Sequence, residues 1–365
     1  MAFEIDFIGV PKEFSKQDAD AIAVRWKADN SYKVIVYDGG FKAHGEELVN
    51  HMKKYYFNGK NGIIDAVVVS HPDQDHTSGL KEILENFTVK ALYMNRPWQY
   101  AVKLYGKVTD NRITKNSLED RLRVKYSYIN DLKKLAIEKE IPIYNAFEGT
   151  VIEGCLKVLS PSEEFYKNLI VESEKTPLEN KKGAFMSEVH MNEFLSRLGS
   201  VLETWGVETL RENVSTSAEN EMSVVLLGTV DNDRFLLVGD AGIKALDRAI
   251  NYAESVLKIS IRENVQFFHI PHHGGRHNVS PSILDRMIGE KVSIESLATK
   301  TAFVSVADGS DHPKKMVVNA YLRRGCKVYK NGKSNIWHHK DMPLRSGYSS
   351  IEIEKFNEYV EKWDD

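Results

Sequence analysis

Ala66-Val67-Val68-Val69-Ser70-His71-Pro72-Asp73-Gln74-Asp75-His76 is a strand signal that runs straight into four side chains able to bind metal. A short β-branched run bounded by polar residues reads as a buried strand. Two imidazoles and two carboxylates within six residues then crowd its mouth. A core has no use for them, and an ordinary surface loop rarely concentrates them. Nitrogen and oxygen donors together suit zinc, manganese or iron. A pair of such ions activates water for attack on esters, amides or phosphodiesters.

The rest of the composition frames this reading. The chain has 365 residues, 42% of them hydrophobic and 28% charged, which is a soluble globular composition. The formal net charge of −3 excludes a surface that is basic all over, so any basic face is local. Cys155 and Cys326 form no CxxC pair, so neither a zinc finger nor a disulfide scaffold is indicated. Met1 leads into Phe3, Ile5 and Phe7 with acidic residues between, unlike a secretory leader. No run approaches about 18 apolar residues, so no membrane span is expected, and the setting expected is the cytoplasm.

Strand and helix signals alternate along the chain, the pattern of a layered α/β fold. Strands are expected at 21–26, 33–37, 63–70, 90–94, 141–144, 156–159, 222–227, 234–238, 265–270 and 301–306. Helices are expected at 46–57, from Ser78, through most of 95–141, and at 246–257. Residues 163–219 break the β rhythm and read as a helical insertion within a single domain spanning 1–365. Phe194, Leu195, Leu198, Val201, Leu202 and Trp205 mark one amphipathic helix there, and Ile353 to Trp363 reads as a C-terminal helix.

Four strand ends carry candidate chemistry: Asp38 before Gly39-Gly40, the 71–76 loop, Asp240 after Gly239, and His272-His273 before Gly274-Gly275. Functional groups gather where strands run out into loops. Taken singly, each has a plainer explanation. Asp240 alone reads as the N-cap of the following helix, and His312 before Pro313 as a loop or capping histidine. Adjacent histidines point different ways, so one of His272 and His273 can bind metal while the other supports it or meets substrate.

With these motifs in order, the chain resembles the metallo-β-lactamase fold superfamily and is most similar to the hydrolase domain of ComEC-type competence proteins. Ser70 to Gly79 resembles that subgroup's His-x-Asp-x-Asp-His-x-Gly-Gly signature. Asp38-Gly39-Gly40 resembles its early Asp-x-Gly turn, and Asn220-Glu221-Met222-Ser223 its Asn-x-x-Ser. Leu237-Val238-Gly239-Asp240, Pro271 to Gly275 and His312-Pro313 follow in the same order. The resemblance implies a four-layer αββα sandwich with two divalent metal ions, zinc or manganese, in the cleft between the sheets. His71 and Asp73 are then expected at the first metal, Asp75, His76 and His273 at the second, and Asp240 between them. Asp75 is also expected to orient or deprotonate water, with His272 and His312 as further catalytic residues. Asp73 stands where the superfamily commonly has histidine, which makes the first site harder and tilts it toward manganese. A third histidine for that site is not evident. His190 lies in the interval but inside the expected insertion, and Asn220, Ser223 or a water are the alternatives.

The activity expected is phosphodiester hydrolysis of nucleic acid, DNA above RNA. The Lys/Arg/Tyr-rich stretch from Tyr100 to Lys134 offers phosphate contacts and stacking surfaces, although Asp110, Glu119, Asp120 and Asp131 interleave it. A small phosphoester, lactone or thioester is the alternative substrate, since a fold does not fix one. A third reading is an effector subunit controlled by a protein partner docked on 163–219 or the C-terminal helix.

Overall fold

The computed structural model describes residues 1–107, 114–173 and 200–363. Two seven-stranded sheets dominate it. The first has the order β17 (Ile336–Lys340), β1 (Phe3–Phe7), β2 (Ala21–Ala28), β3 (Ser31–Gly39), β5 (Ala66–Val68), β7 (Leu92–Tyr93), β8 (Ile143–Tyr144). The second runs β16 (Cys326–Lys330), β15 (Lys300–Val304), β14 (Phe267–His269), β13 (Asp233–Leu237), β12 (Val225–Val230), β10 (Leu156–Ser160), β9 (Val151–Ile152). Two small pairs complete the strands: β4 (Ile63–Ile64) with β6 (Thr88–Val89), and β11 (Ser200–Leu202) with β18 (Tyr359–Glu361).

Strand periodicity explains why the β runs read as continuously apolar. In β3, Ile35 and Tyr37 face the opposite sheet while Val34 and Val36 face helices. In β13 the same division puts Phe235 and Leu237 inward, Leu236 outward. Successive side chains point to opposite faces, so a strand buried on both faces loses its polar half. The core between the sheets is aromatic: Phe7, Phe267 and Phe303 meet edge to face at centroid distances of 5.0–6.0 Å. Outside it, helix Lys42–Tyr55 buries Leu48 and Met52 over the first sheet, and helix Ile243–Ser255 buries Leu246 and Ile250 over the second. Helix, sheet, sheet and helix thus make the four-layer αββα sandwich that the resemblance implies.

β1 is a strand outside the expected set. Its Phe3, Ile5 and Phe7 fill the inter-sheet core. Two helix expectations are corrected. The C-terminal segment is not a helix: Tyr359–Glu361 pairs as β18 with β11, Val360 is buried, and Glu361 accepts from Lys315 N at 2.9 Å, at the start of helix Lys315–Arg323. Edge pairing and burial of Val360 outweigh a weak helical pattern. Of the helix expected from Phe194 to Trp205, Phe194, Leu195 and Leu198 lie outside the described residues. Val201 and Leu202 are in β11, and the Trp205 indole donates to Val292 O at 2.8 Å. Within the expected insertion, Glu163–Glu172 is helical. Among the described residues no helix is long and apolar enough to cross a membrane.

Candidate metal centre

The strands that carry the candidate residues run parallel to a neighbour in each sheet. β3 pairs parallel with β5, and β13, β14 and β15 pair parallel in series. Their carboxyl ends therefore open on the same edge of the sandwich. Two bonds fasten the sheets there: Tyr37 donates its hydroxyl to Val224 O at 2.7 Å, and Val224 N donates to Ser70 O at 2.9 Å.

The hexapeptide is seated by close backbone packing. After His71-Pro72 the chain turns at Asp73 into a single helical turn, Gln74–Thr77, that Asp73 precedes in extended geometry without a side-chain cap bond. Gly79 then packs against Gly39, where a Cβ would stand 2.0 Å from Gly39 O. No larger residue fits that contact, which fixes the helical turn against the end of β3.

The cluster that results is tight. His76 Nε2 lies 3.2 Å from Asp240 Oδ1 and 3.8 Å from Asp75 Oδ2. His273 Nε2 is 3.6 Å from that same Asp75 oxygen. His71 Nε2 lies 3.7 Å from Asp240 Oδ2 and 3.8 Å from Asp73 Oδ2. His272 Nδ1 approaches Asp240 Oδ2 at 2.5 Å. Asp75, His76, Asp240 and His273 offer donor atoms that all lie within 4.8 Å of one another. His71 also lies against Asp240, and among the described ion pairs Asp73 reaches this group only through His71. Asp240 is not a helix cap: the residue before helix Ile243–Ser255 is Gly242, and the Asp240 carboxylate faces histidines.

Supporting contacts orient the rings. His76 Nδ1 pairs with Asp38 Oδ2 at 2.9 Å, while Asp38 Oδ1 accepts from Ser70 N at 2.8 Å. His273 Nδ1 donates to Ser305 O at 2.9 Å. Such partners set the tautomer and turn Nε2 inward. Asp38, His272 and His273 have φ of 61°, 48° and 55°, a left-handed backbone that non-glycine residues rarely adopt. Each such residue costs about 1–3 kcal/mol, and such strain collects where side-chain direction matters.

The inward atoms face one another without hydrogen bonds. His71 Nε2, His76 Nε2, His273 Nε2 and Asp240 Oδ1 are buried without a hydrogen bond. Burial opposes charge on His76 and His273, yet the anions around them dominate. Asp240, Asp75 and Asp38 raise His76 well above the usual histidine range, and Asp75, Asp240 and Asp20 push His273 up to about 10. His71 moves the other way, lowered by burial and by the neighbouring His76 charge. Burial would raise Asp240, but the histidine charges hold it well below the usual carboxylate range. Buried polar atoms are normally paired, and buried charges are paired or bind metal. The donor set, hard oxygens with imidazole nitrogens, fits divalent cations.

Two residues escaped the sequence reading. Asp20, fully buried just before β2, leaves both carboxylate oxygens without a hydrogen bond, 3.3 Å from His269 Nε2 and 3.8 Å from His76 Nδ1. Asp18 accepts from His312 Nδ1 at 2.8 Å and from Ala307 N at 2.7 Å. Burial would raise the Asp18 carboxyl, but the His312 hydrogen bond and nearby His273 hold it at about 2. His312 therefore sits in an Asp18–His312 pair beside the His272–Gly274 turn, where Lys314 N donates to Gly274 O at 3.1 Å. No motif marks Asp18 or Asp20; both lie in a loop that reads as an ordinary polar turn. His190 lies outside the described residues.

Surroundings bear on the substrate. The cavity adjoining His71 holds only about 10 Å³. A cavity of about 1250 Å³ between the edge strands β16 and β17, floored by Phe303, Tyr329 and His338, contains none of the cluster residues. In the basic stretch, Arg123 pairs with Glu119, and Lys81 and Lys134 pair with Asp131, so part of its charge is neutralised locally.

Residues 24–129 match the family model described as the metallo-beta-lactamase superfamily, a segment running from β2 through the hexapeptide. No curated protein matches the chain in sequence. Among solved structures, the metallo-beta-lactamase fold protein YhfI from Bacillus subtilis aligns over 93% of this chain and 100% of its own, at 8% identity and a TM-score of 0.42. An archaeal metallo-beta-lactamase superfamily protein from Sulfolobus tokodaii aligns over 80% of this chain and 89% of its own, at 15% identity and a TM-score of 0.32. The family match across the hexapeptide and the four-layer architecture together support a metallo-β-lactamase fold for this chain.

Proposed function

We propose that this chain is a metal-dependent hydrolase that cleaves phosphodiesters in nucleic acid at a two-cation centre built on Asp240. The observation that carries the reading is the convergence of His71, His76 and His273 Nε2 with Asp240 Oδ1, all buried and none with a hydrogen-bond partner. His71 and Asp73 would hold one cation with Asp240 Oδ2, and His76, Asp75 and His273 the other with Asp240 Oδ1. When bound, the cations supply Lewis acidity and lower the pKa of water. Carboxylate oxygens with imidazole nitrogens and no thiolate suit manganese or zinc.

The chain's own groups do the rest. Asp75 is partly exposed and reaches His76 and His273 with a single oxygen, so it can orient a water and accept its proton. His312 has Nδ1 engaged by Asp18, which directs Nε2 as the atom that delivers a proton to the leaving oxygen. Side chains of Asp73, Asp75 and His272 are about a third exposed, so substrate reaches the cluster from an open side.

The test is cleavage of labelled single- and double-stranded DNA and RNA by metal-stripped protein refilled with Mn²⁺ or Zn²⁺, beside an Asp75→Ala control. Metal-dependent cleavage that disappears in the control is the expected result. Two bound metals with no cleavage of any nucleic acid would overturn the substrate assignment and favour a small ester or a partner-gated enzyme.

A further inference from the structure

The two oxygens of Asp240 divide the cluster into unequal halves. On the Oδ1 side stand His76 Nε2 and, through Asp75, His273 Nε2. That half has three protein donors besides the bridging carboxylate. On the Oδ2 side, His71 and Asp73 supply only two. Counting Asp240 Oδ2, the His71 half has three protein donors and the His76 half four, so an equal set needs one more donor on the Oδ2 side.

The sequence offered Asn220 and Ser223 for that position; Asn220 Nδ2 stands 3.4 Å from His272 Nδ1, which places His272 between Asn220 and Asp240. Ser223 Oγ accepts from Asp240 N at 3.1 Å. Asn220 Nδ2 donates to Thr216 Oγ1 at 2.7 Å. His272, in contrast, is aimed at that position. Its Nδ1 is 2.5 Å from Asp240 Oδ2, the oxygen that also faces His71. Its backbone is held at a φ of 48°, and Gly275 makes room for its ring, since a Cβ there would lie 2.7 Å from His272 Cδ2. His273 uses Nε2 toward the cluster and ties Nδ1 to Ser305 O, so the two adjacent histidines reach opposite halves with opposite ring nitrogens.

We propose that His272 Nδ1 is a fourth protein ligand of the cation held by His71, Asp73 and Asp240 Oδ2. This rests on the two-cation reading above and gives His272 a ligand's role in place of the catalytic one expected from sequence. One turn, His272-His273, then serves both cations.

The experiment is metal titration of the stripped full-length chain with Mn²⁺, read by calorimetry and by elemental analysis after desalting. Wild type, His272→Ala, His71→Ala and His190→Ala are compared. Wild type and His190→Ala are expected to take up two equivalents. His272→Ala, like His71→Ala, is expected to keep one tight equivalent and to weaken the other more than about 100-fold, beyond the 10–100-fold typical of a residue that only supports a ligand. The retained equivalent reports that the variant is folded at the cluster. Two undiminished equivalents in His272→Ala overturn the assignment, as does loss of both, which would make His272 a support for Asp240. Loss of one equivalent in His190→Ala but not in His272→Ala moves the ligand to His190. Fewer than two equivalents in wild type would instead sink the two-cation reading itself.

Discussion

On the outer face of β1, Glu4 and Asp6 are buried beside Arg25, Arg345 and His51; at the ends of β3, β5, β13 and β14, Asp38, Asp75 and Asp240 lie beside His71, His76, His272 and His273. Both clusters combine carboxylates and imidazoles in a low-dielectric setting. In the first, the chain supplies its own cations. Arg25 and Arg345 pair with Glu4, and Arg345 and His51 with Asp6. Tyr56 and Trp337 add hydrogen bonds, at 2.6 Å to Asp6 and 2.9 Å to Glu4. None of these acidic and basic groups is left unpartnered. In the second cluster no arginine enters the described ion pairs, and four inward atoms stay without a hydrogen bond. Arginine completes a structural cluster; its absence leaves a place that an external cation can fill.

The largest effect expected from this contrast is on activity. Asp240→Ala should abolish tight metal uptake and lower hydrolysis by about 10³-fold or more, the order lost when a catalytic constellation is broken. It should also destabilise the metal-free chain, because the buried histidines that hold Asp240 well below the usual carboxylate range lose their counter-charge. An unchanged metal count by elemental analysis would break the comparison.

Arg345→Met should act on stability alone. Removing one partner of a buried pair costs about 3–5 kcal/mol. Denaturant unfolding should show that loss, while metal stoichiometry per folded chain stays the same. A shift in stoichiometry would mean that the two clusters are coupled.

Asp38→Asn sharpens the boundary between them. Asp38 touches His76 from behind, so its loss should weaken metal affinity about 10–100-fold without removing a ligand, as calorimetric titration would read.

The smallest effect is a pH dependence. His273 in the metal-free fold is raised, against burial, by Asp75 and Asp240 to about 10 from the usual 6.5, and His76 is shifted in the same direction. A raised folded-state pKa stabilises the fold fully below the unfolded value and loses that contribution as pH rises through the folded value. The metal-free chain should therefore lose this part of its stability between pH 6.5 and about 10. Bound cations replace those protons, so the gap in Tm between loaded and stripped protein should widen across that window. A gap independent of pH would count against protons and metals sharing these atoms.

The layers and most of the cluster were legible in the chain because they rest on local signals. Period-2 side chains, β-branched runs and residues at strand ends identified β2, β3, β13 and β14 and brought Asp38, the hexapeptide, Asp240 and His272-His273 into view. The misses have physical reasons. β1 alternates apolar and acidic residues like an exposed strand, yet Glu4 and Asp6 are buried because arginines from distant positions reach them. β18 looks helical until its edge partner β11 is known. Asp18 and Asp20 carry no motif, because a single aspartate means nothing until the fold sets a histidine against it.

Sequence alone determined which side chains stand at strand ends, since that depends on spacing within a few residues. Only the tertiary structure decided which oxygen of Asp240 each histidine faces, that His272 reaches inward through Nδ1, and that Asp18 holds His312. Those outcomes depend on how two sheets joined by loops far apart in the chain come to share one edge.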